Sequence, residues 1–332
     1  MSRDYFRPIP QEGGALPIAG GWVRFSSVEV LARGAAPRVI DAADAPREWR
    51  DRVCARRADL AGLAMDRAQI MGIVNATPDS FSDGGRWGDG AAHGRALFAQ
   101  GAAIVDVGGE STRPGAAEVP ISDEIERVLP AVRALSALGP VSIDTRKAGV
   151  ARAALEAGAG LVNDVSGLDF DADMAGVVAR SGAALCLMHA QGLPADMQDD
   201  PQYGDVLLDV YDALEARIAR ACAAGISRDR IAIDPGIGFG KTLAHNLAIL
   251  RRISLFHGLG CPILLGVSRK RFIGAISGAE QADARDPGSL AVTLAAVAQG
   301  VQIHRVHEVA GAAQGLALWH AVRDGINQEA RT

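Results

Sequence analysis

Ile70-Met71-Gly72-Ile73-Val74-Asn75 runs into Ala76-Thr77-Pro78-Asp79-Ser80-Phe81-Ser82-Asp83-Gly84-Gly85, and the reading of this stretch decides the fold. A short apolar run that stops at an amide side chain and opens into Pro, Asp, Ser and Gly is a buried strand delivering polar groups at its carboxyl end. The pattern recurs downstream, each time behind a helix-like segment that ends in a small residue and Gly. Gly101 precedes Ile104-Val105-Asp106, Gly158 precedes Leu161-Val162-Asn163, and Gly182 precedes Leu185-Cys186-Leu187-Met188-His189. Gly225 precedes Ile231-Ala232-Ile233-Asp234, and Gly300 precedes Val301-Gln302-Ile303-His304-Arg305. A glycine there suits the left-handed backbone that ends a helix.

Two further runs, Val141-Ser142-Ile143-Asp144 and Ile263-Leu264-Leu265-Gly266-Val267-Ser268, complete eight strands, each followed by a plausible helix. Eight such units from Ile70 onward fit the roughly 250 residues of a (β/α)8 TIM barrel, an α/β fold. A doubly wound open sheet is the alternative, but the first strand-to-helix turn lacks the Gly-x-Gly-x-x-Gly phosphate fingerprint. In a barrel the carboxyl ends of the strands line one mouth. That gathers Asn75, Asp106, Asp144, Asn163, His189, Asp234, Lys270, Arg305 and His307.

Composition narrows the function. With 332 residues, 48% hydrophobic and 22% charged, the chain can bury a large core, and its net charge of −5 offers no basic field for nucleic acid. Any anionic ligand must then be met by cations gathered locally. Cys54, Cys186, Cys222 and Cys261 are dispersed, which supports neither a zinc site nor a disulfide framework. The first residues have no apolar leader and no run reaches the ~18 residues of a membrane helix, so the expectation is a cytoplasmic protein.

Residues 1–65 lack the strand-and-helix beat and are read as an amino-terminal extension, with 66–332 as the barrel domain. Trp22-Val23-Arg24-Phe25 and Val28-Glu29-Val30-Leu31 suggest a small β element, and Pro46 with Trp49 and Val53 four apart a short helix. The first dozen residues are expected to be flexible, and the barrel to stand without those before about Leu63.

Asp144, Asn163 and Asp234 put two carboxylates and an amide at strand ends, a set suited to a flat heterocycle rich in N–H donors, such as a guanine-like or pterin ring. The plainer reading has Asp144 and Asp234 capping loops or pairing with Arg146 and Lys241. Ser268-Arg269-Lys270-Arg271 leaves the seventh strand at the mouth of an acidic protein, which favours a ligand role for at least one cation. His304-Arg305-Val306-His307 leaves the eighth, with Arg305 and His307 on one face. Loops after the last two strands, with a helix amino terminus, are the usual phosphate seat of this fold. His189, His245, His257 and His320 show no metal spacing and read as structural or exposed. Gly236-Ile237-Gly238-Phe239-Gly240-Lys241-Thr242 imitates the end of a Walker A loop, but Pro235 stands where its first Gly belongs.

Over residues 63–322 the chain resembles the bacterial dihydropteroate synthases. The resemblance is carried by the first loop quoted above, by Gly109-Glu110-Ser111-Thr112-Arg113-Pro114-Gly115, Ser142-Ile143-Asp144-Thr145, Asn163-Asp164-Val165-Ser166-Gly167 and Leu187-Met188-His189. Asp234-Pro235-Gly236-Ile237-Gly238-Phe239-Gly240-Lys241 and Ser268-Arg269-Lys270 complete it. It implies a transferase of folate biosynthesis, a homodimer and a sulfonamide target, joining 6-hydroxymethyl-7,8-dihydropterin diphosphate to 4-aminobenzoate with loss of pyrophosphate and a requirement for Mg²⁺. It places the pterin on Asp144, Asn163, Asp234 and Lys270, walled by Met188 and Phe239. Diphosphate falls to Asn75, Arg305 and His307, with Mg²⁺ near Asn75, and 4-aminobenzoate to Phe81, Pro114, Lys270 and Arg271. Thr112 and Arg113 belong to a loop expected to close over the site. Asp83 is a candidate to face developing positive charge or hold the amine. Residues 77–89 and 111–117 are expected to be disordered without ligands. Ala76 and Glu308 depart from the usual Val and Asp. A folate-binding methyltransferase domain and a non-catalytic pterin-binding protein are the rival readings.

Overall fold

The computed structural model describes residues 3–76, 90–111, 118–192 and 200–325. The extension comprises β1 (Asp4–Ile9), β2 (Leu16–Pro17), β3 (Arg24–Phe25), β4 (Ser27–Ala32), β5 (Arg38–Asp41) and α1 (Arg47–Cys54). β1, β4 and β5 form an antiparallel sheet in the order β1-β4-β5, and β2 pairs with β3. Phe25, Val28, Trp49 and Val53 bury a small core of their own. The expected flexible dozen is thus corrected: Asp4–Ile9 is a strand in full register with β4, and Pro8 is accommodated because β1 is an edge strand.

The barrel follows as β6 (Gln69–Asn75), α2 (Gly90–Ala99), β7 (Ile104–Gly108), α3 (Ile121–Ser136), β8 (Val141–Asp144), α4 (Ala148–Glu156), β9 (Leu161–Asp164), α5 (Met174–Ser181) and β10 (Ala184–Met188). It continues through α6 (Val206–Ala223), β11 (Ile231–Asp234), α7 (Leu243–Arg251), β12 (Leu264–Gly266), α8 (Arg271–Ser277), α9 (Asp286–Val297), β13 (Ile303–Val306) and α10 (Val309–Asp324). All eight expected strands are present in one parallel sheet of order β11-β10-β9-β8-β7-β6-β13-β12. A bridge between Ile233 and Ile263 closes the ring, with the Ile233 N–H donating to the Pro262 carbonyl at 2.9 Å. Gly101, Gly158, Gly182, Gly225 and Gly300 all adopt positive φ, between 72° and 110°, as their places behind helices require.

Side chains alternate in and out along each strand. Ile70, Val105, Val141, Val162 and Leu185 face the helices. Met71, Ile104, Leu161, Ala184, Ala232, Leu264 and Ile303 face the axis, together with Leu60, Leu63 and Met65 from the segment before β6. Leu60 and Met65 are almost wholly buried there, so residues 60–65 belong by packing to the barrel interior. One further inward step along the strands replaces the apolar set by a polar one. Ile104 gives way to Asp106, Leu161 to Asn163, Ala232 to Asp234 and Ile303 to Arg305, while on β8 the already polar Ser142 gives way to Asp144. The floor of the barrel is mainly apolar and its mouth is lined with hydrogen-bonding groups.

The extension is bolted to this barrel by charge. Glu29 of β4 accepts from Arg7 at 2.9 Å and from Arg252 at 2.9 and 3.0 Å. The Tyr5 hydroxyl donates to Asp212 of α6 at 2.7 Å.

Candidate active site

Asp106, Asp144, Asn163 and Asp234 converge at the mouth, all buried. Their neighbours in the ladder explain the proximity: Asp144 lies opposite Asn163, and Met188 opposite Asp234. Asp234 accepts the Gly236 N–H at 2.7 Å on one oxygen. Burial raises the Asp234 pKa, against the pull of Lys270 and Lys241. Burial likewise pushes Asp144 up, opposed by Arg305 and reinforced by Asp106.

Arg305 differs from expectation in the company it keeps. Its guanidinium donates from Nε to Asp106 at 2.6 Å and from Nη2 to Asp144 at 2.7 Å. Asp106 also accepts from the Asn163 amide at 3.0 Å, on the same oxygen, Oδ2. Asp106 was legible as a strand-end residue, but no role followed from its position. Only the fold shows that it joins Arg305 to Asn163. Of the plainer reading of the acids, the pairing is set aside, since Arg146 donates to Glu110 at 2.8 Å and Lys241 to backbone carbonyls, while Asp234 does cap the loop after β11 through the Gly236 N–H.

Lys270 follows β12 as the residue before α8. Its ammonium donates to the Ile237 carbonyl and lies 4.4 Å from the centroid of the Phe239 ring. Burial lowers its pKa to about 8, against the attraction of Asp234. Arg269 is a structural cation, bonded by two 2.8 Å contacts to Asp286, while Arg271 opens α8 on the exposed surface. His307 places Nδ1 3.0 Å from the Ser268 hydroxyl, which ties the eighth strand end to the seventh. Asn75 ends β6 exposed at the mouth, and Met188 ends β10 buried. Phe81, Asp83, Thr112, Arg113 and Pro114 lie outside the described residues, as do 77–89 and 112–117 as a whole.

The expected phosphate seat is modified at α10. Glu308 is its N-cap, and both carboxylate oxygens accept from the Gly311 N–H, at 2.8 and 3.1 Å. The donors of that helix end are therefore already met in part by a carboxylate. His189 is buried beside Lys241, with its Nδ1 3.0 Å from the ammonium, and burial drives its pKa down to about 2. Among the described residues no group of three or more His, Cys, Asp or Glu is arranged to hold a metal ion.

The family described as pterin-binding enzymes matches residues 71–307. A dihydropteroate synthase of Neisseria meningitidis serogroup C is 45% identical over 272 residues, which cover 80% of this chain and 95% of that one. The chain belongs to the dihydropteroate synthases. It is accordingly a transferase of folate biosynthesis. The structure of the Xanthomonas albilineans dihydropteroate synthase with 4-aminobenzoic acid is 44% identical, with a TM-score of 0.76, covering 80% of this chain and 98% of that one. The Yersinia pestis synthase with a sulfonamide drug is 41% identical, with a TM-score of 0.75 and coverage of 79% and 96%. The residues before 71 lie outside the family match.

Proposed function

We propose a division of labour for the condensation of 6-hydroxymethyl-7,8-dihydropterin diphosphate with 4-aminobenzoate to 7,8-dihydropteroate and pyrophosphate. The observation that supports it best is the convergence of Asp144, Asn163 and Asp234 on inward positions at one mouth, with Lys270 and Arg305 against them. Asp234 anchors the aminopyrimidine edge, because an ionised carboxylate can take two parallel N–H donors. Asp144 and Asn163 take further ring donors, Lys270 lies over Phe239 beside them, and Met188 and Phe239 are apolar walls. As Asp144 accepts from the ring, Arg305 turns from it toward the diphosphate, still held by Asp106, and His307 joins it there.

The residues present fit a magnesium ion carried on the diphosphate. Asn75 offers an exposed oxygen donor at the mouth, and an ion that keeps most of its shell as water and phosphate oxygen needs little more from the protein. Bound there, magnesium would neutralise charge on the leaving group. Aromatic amines are neutral near pH 7 with the lone pair free, so no general base is required. What the chain must supply is positive charge toward the departing pyrophosphate, from Arg305 and His307 in fixed positions. The roles of Phe81, Thr112, Arg113, Pro114 and Arg271 toward 4-aminobenzoate, and of Asp83 toward the reacting carbon or the amine, rest on the resemblance of their motifs.

Three wider assignments accompany this. Leu243 and Leu247 of α7, Ile276 of α8 and Leu318 and Val322 of α10 are exposed apolar side chains on the outer helices, from 41% to 87% accessible, and a second copy of the chain is their proposed cover, giving a homodimer. The compartment is the cytoplasm, consistent with four free cysteines and no helix, among the described residues, long and apolar enough to cross a membrane. By packing, the barrel domain is taken to begin at Leu60.

The deciding measurement is pyrophosphate released per dihydropteroate formed with both substrates present. A one-to-one ratio is expected. A methyltransferase domain or a non-catalytic pterin binder would release none. In single turnover at saturating Mg²⁺, the chemical step should be nearly independent of pH through neutrality; a rise of about tenfold per pH unit would mean that a proton is removed first.

A further inference from the structure

Asp106 is wholly buried at the mouth, opposite Ser142 and Ile73 in the ladder. It touches Asn163 and Arg305, and the division of labour proposed above gives it no ligand of its own. Its Oδ2 accepts from Asn163 Nδ2 at 3.0 Å and from Arg305 Nε at 2.6 Å. Its Oδ1 is buried, with no hydrogen-bond partner found for it among the described residues. A carboxylate can only accept, so it fixes which way the Asn163 amide points. The NH₂ group must face Asp106, and the carbonyl oxygen is then the edge left for a ligand. Without that acceptor the amide could turn over, and a group that must accept from a ring N–H would become a donor facing a donor.

We infer that Asp106 is the positioning residue of the pterin pocket, setting the Asn163 amide to accept from ring N–H groups while it holds Arg305 at the edge of the same pocket. The inference rests on the pterin site proposed above. The two can fail separately: if the unaltered enzyme does not bind a pterin ring, the site reading falls, whereas normal binding with an indifferent Asp106 removes only this inference.

The probe is 6-hydroxymethylpterin, which carries the ring without the diphosphate and so isolates the Asn163 arm. By calorimetry, Asp106→Ala should weaken it about tenfold or more, the size expected when a buried polar contact is turned into a mismatch. Asp106→Asn can keep an acceptor oxygen in the place of Oδ2 and should stay within about threefold of the unaltered enzyme. In an Asn163→Ala background, where there is no amide to orient, Asp106→Ala should add less than about twofold, the non-additivity of residues acting through one another. In steady state, Asp106→Ala should raise KM for the pterin diphosphate while that for 4-aminobenzoate moves less than about twofold. If the alanine variant does not fold, Asp106→Leu, with the same branched heavy-atom skeleton and no acceptor, takes its place. Unchanged binding in the alanine or leucine variant, losses that add fully to those of Asn163→Ala, or an asparagine variant as weak as the alanine one would each overturn the proposal.

Discussion

Two lysines reach the loop after β11, Lys241 from its own end and Lys270 from beyond β12, and they do different things. Lys241, at the end of the loop after β11, donates to the carbonyls of Gly236 at 2.9 Å, Phe239 at 3.0 Å and His189 at 3.2 Å, and lies 3.0 Å from His189 Nδ1. Its ammonium is enclosed by the chain, and burial lowers its pKa well below the usual value. Lys270, after β12, meets one carbonyl and one aromatic face among the described residues, and the charges acting on it are Asp234, which attracts it, and Arg305, which repels it. An ammonium surrounded by backbone oxygens shapes a loop; one left at the rim beside a carboxylate is available to a ligand. The shaped loop is tight: Gly236 has φ of 68°, and a Cβ there would lie 1.8 Å from the His189 carbonyl oxygen.

Removing Lys270 should break the comparison most visibly. Lys270→Ala is expected to lower kcat/KM by about 100-fold or more, the range seen when a preorganised polar group is deleted from an active site, with the melting temperature little changed. An equal loss of stability and activity would mean that Lys270 is a staple like Lys241. Asp234→Asn should come next, weakening pterin binding at least about tenfold, since a buried donor pair left half-met costs about 1–3 kcal/mol. Calorimetry with unchanged affinity would take Asp234 out of the pocket.

The converse change is Lys241→Met. It leaves buried carbonyls without donors, so the fold should lose about 1–3 kcal/mol, read as an earlier denaturant midpoint with the same slope. Pterin affinity should fall less than in Lys270→Ala. The smallest expected effect is a pH dependence. Lys270 has its pKa lowered to about 8, so it is charged below that pH and neutral above it. Pterin affinity that depends on the cation should be full at pH 7 and decline as pH rises through about 8. Lys270→Arg should remove that decline, because guanidinium stays charged over the whole range.

Which strand-end residues face the mouth was legible because strands obey the period of two. Once Leu161 and Ile303 are inward, Asn163 and Arg305 must be inward too, one step nearer the mouth. What stayed hidden is partner choice. Nothing in the string distinguishes Arg305 on a diphosphate from Arg305 between Asp106 and Asp144, because those residues are far apart in sequence and meet only through strand register. Nor could Glu308 be read as a helix cap before its helix was known to start at Val309. The strand Asp4–Ile9 was missed for a local reason. Arg7 and Pro8 speak against a central strand, and the segment pairs as an edge whose partner, β4, lies beyond a long connection.

The closure of the ring has a consequence for how the chain is made. The first barrel strand, β6, pairs on one side with the last, β13, with Gly72 opposite Val306. During synthesis from the amino terminus, seven strands are out before either open edge can be covered, and unpaired strand edges are templates for association. A message cut short anywhere between β12 and β13 would therefore yield nearly the whole enzyme with its sheet permanently ajar. The expected product is an aggregate rather than a weak synthase, and it should call on chaperones from the ribosome onward.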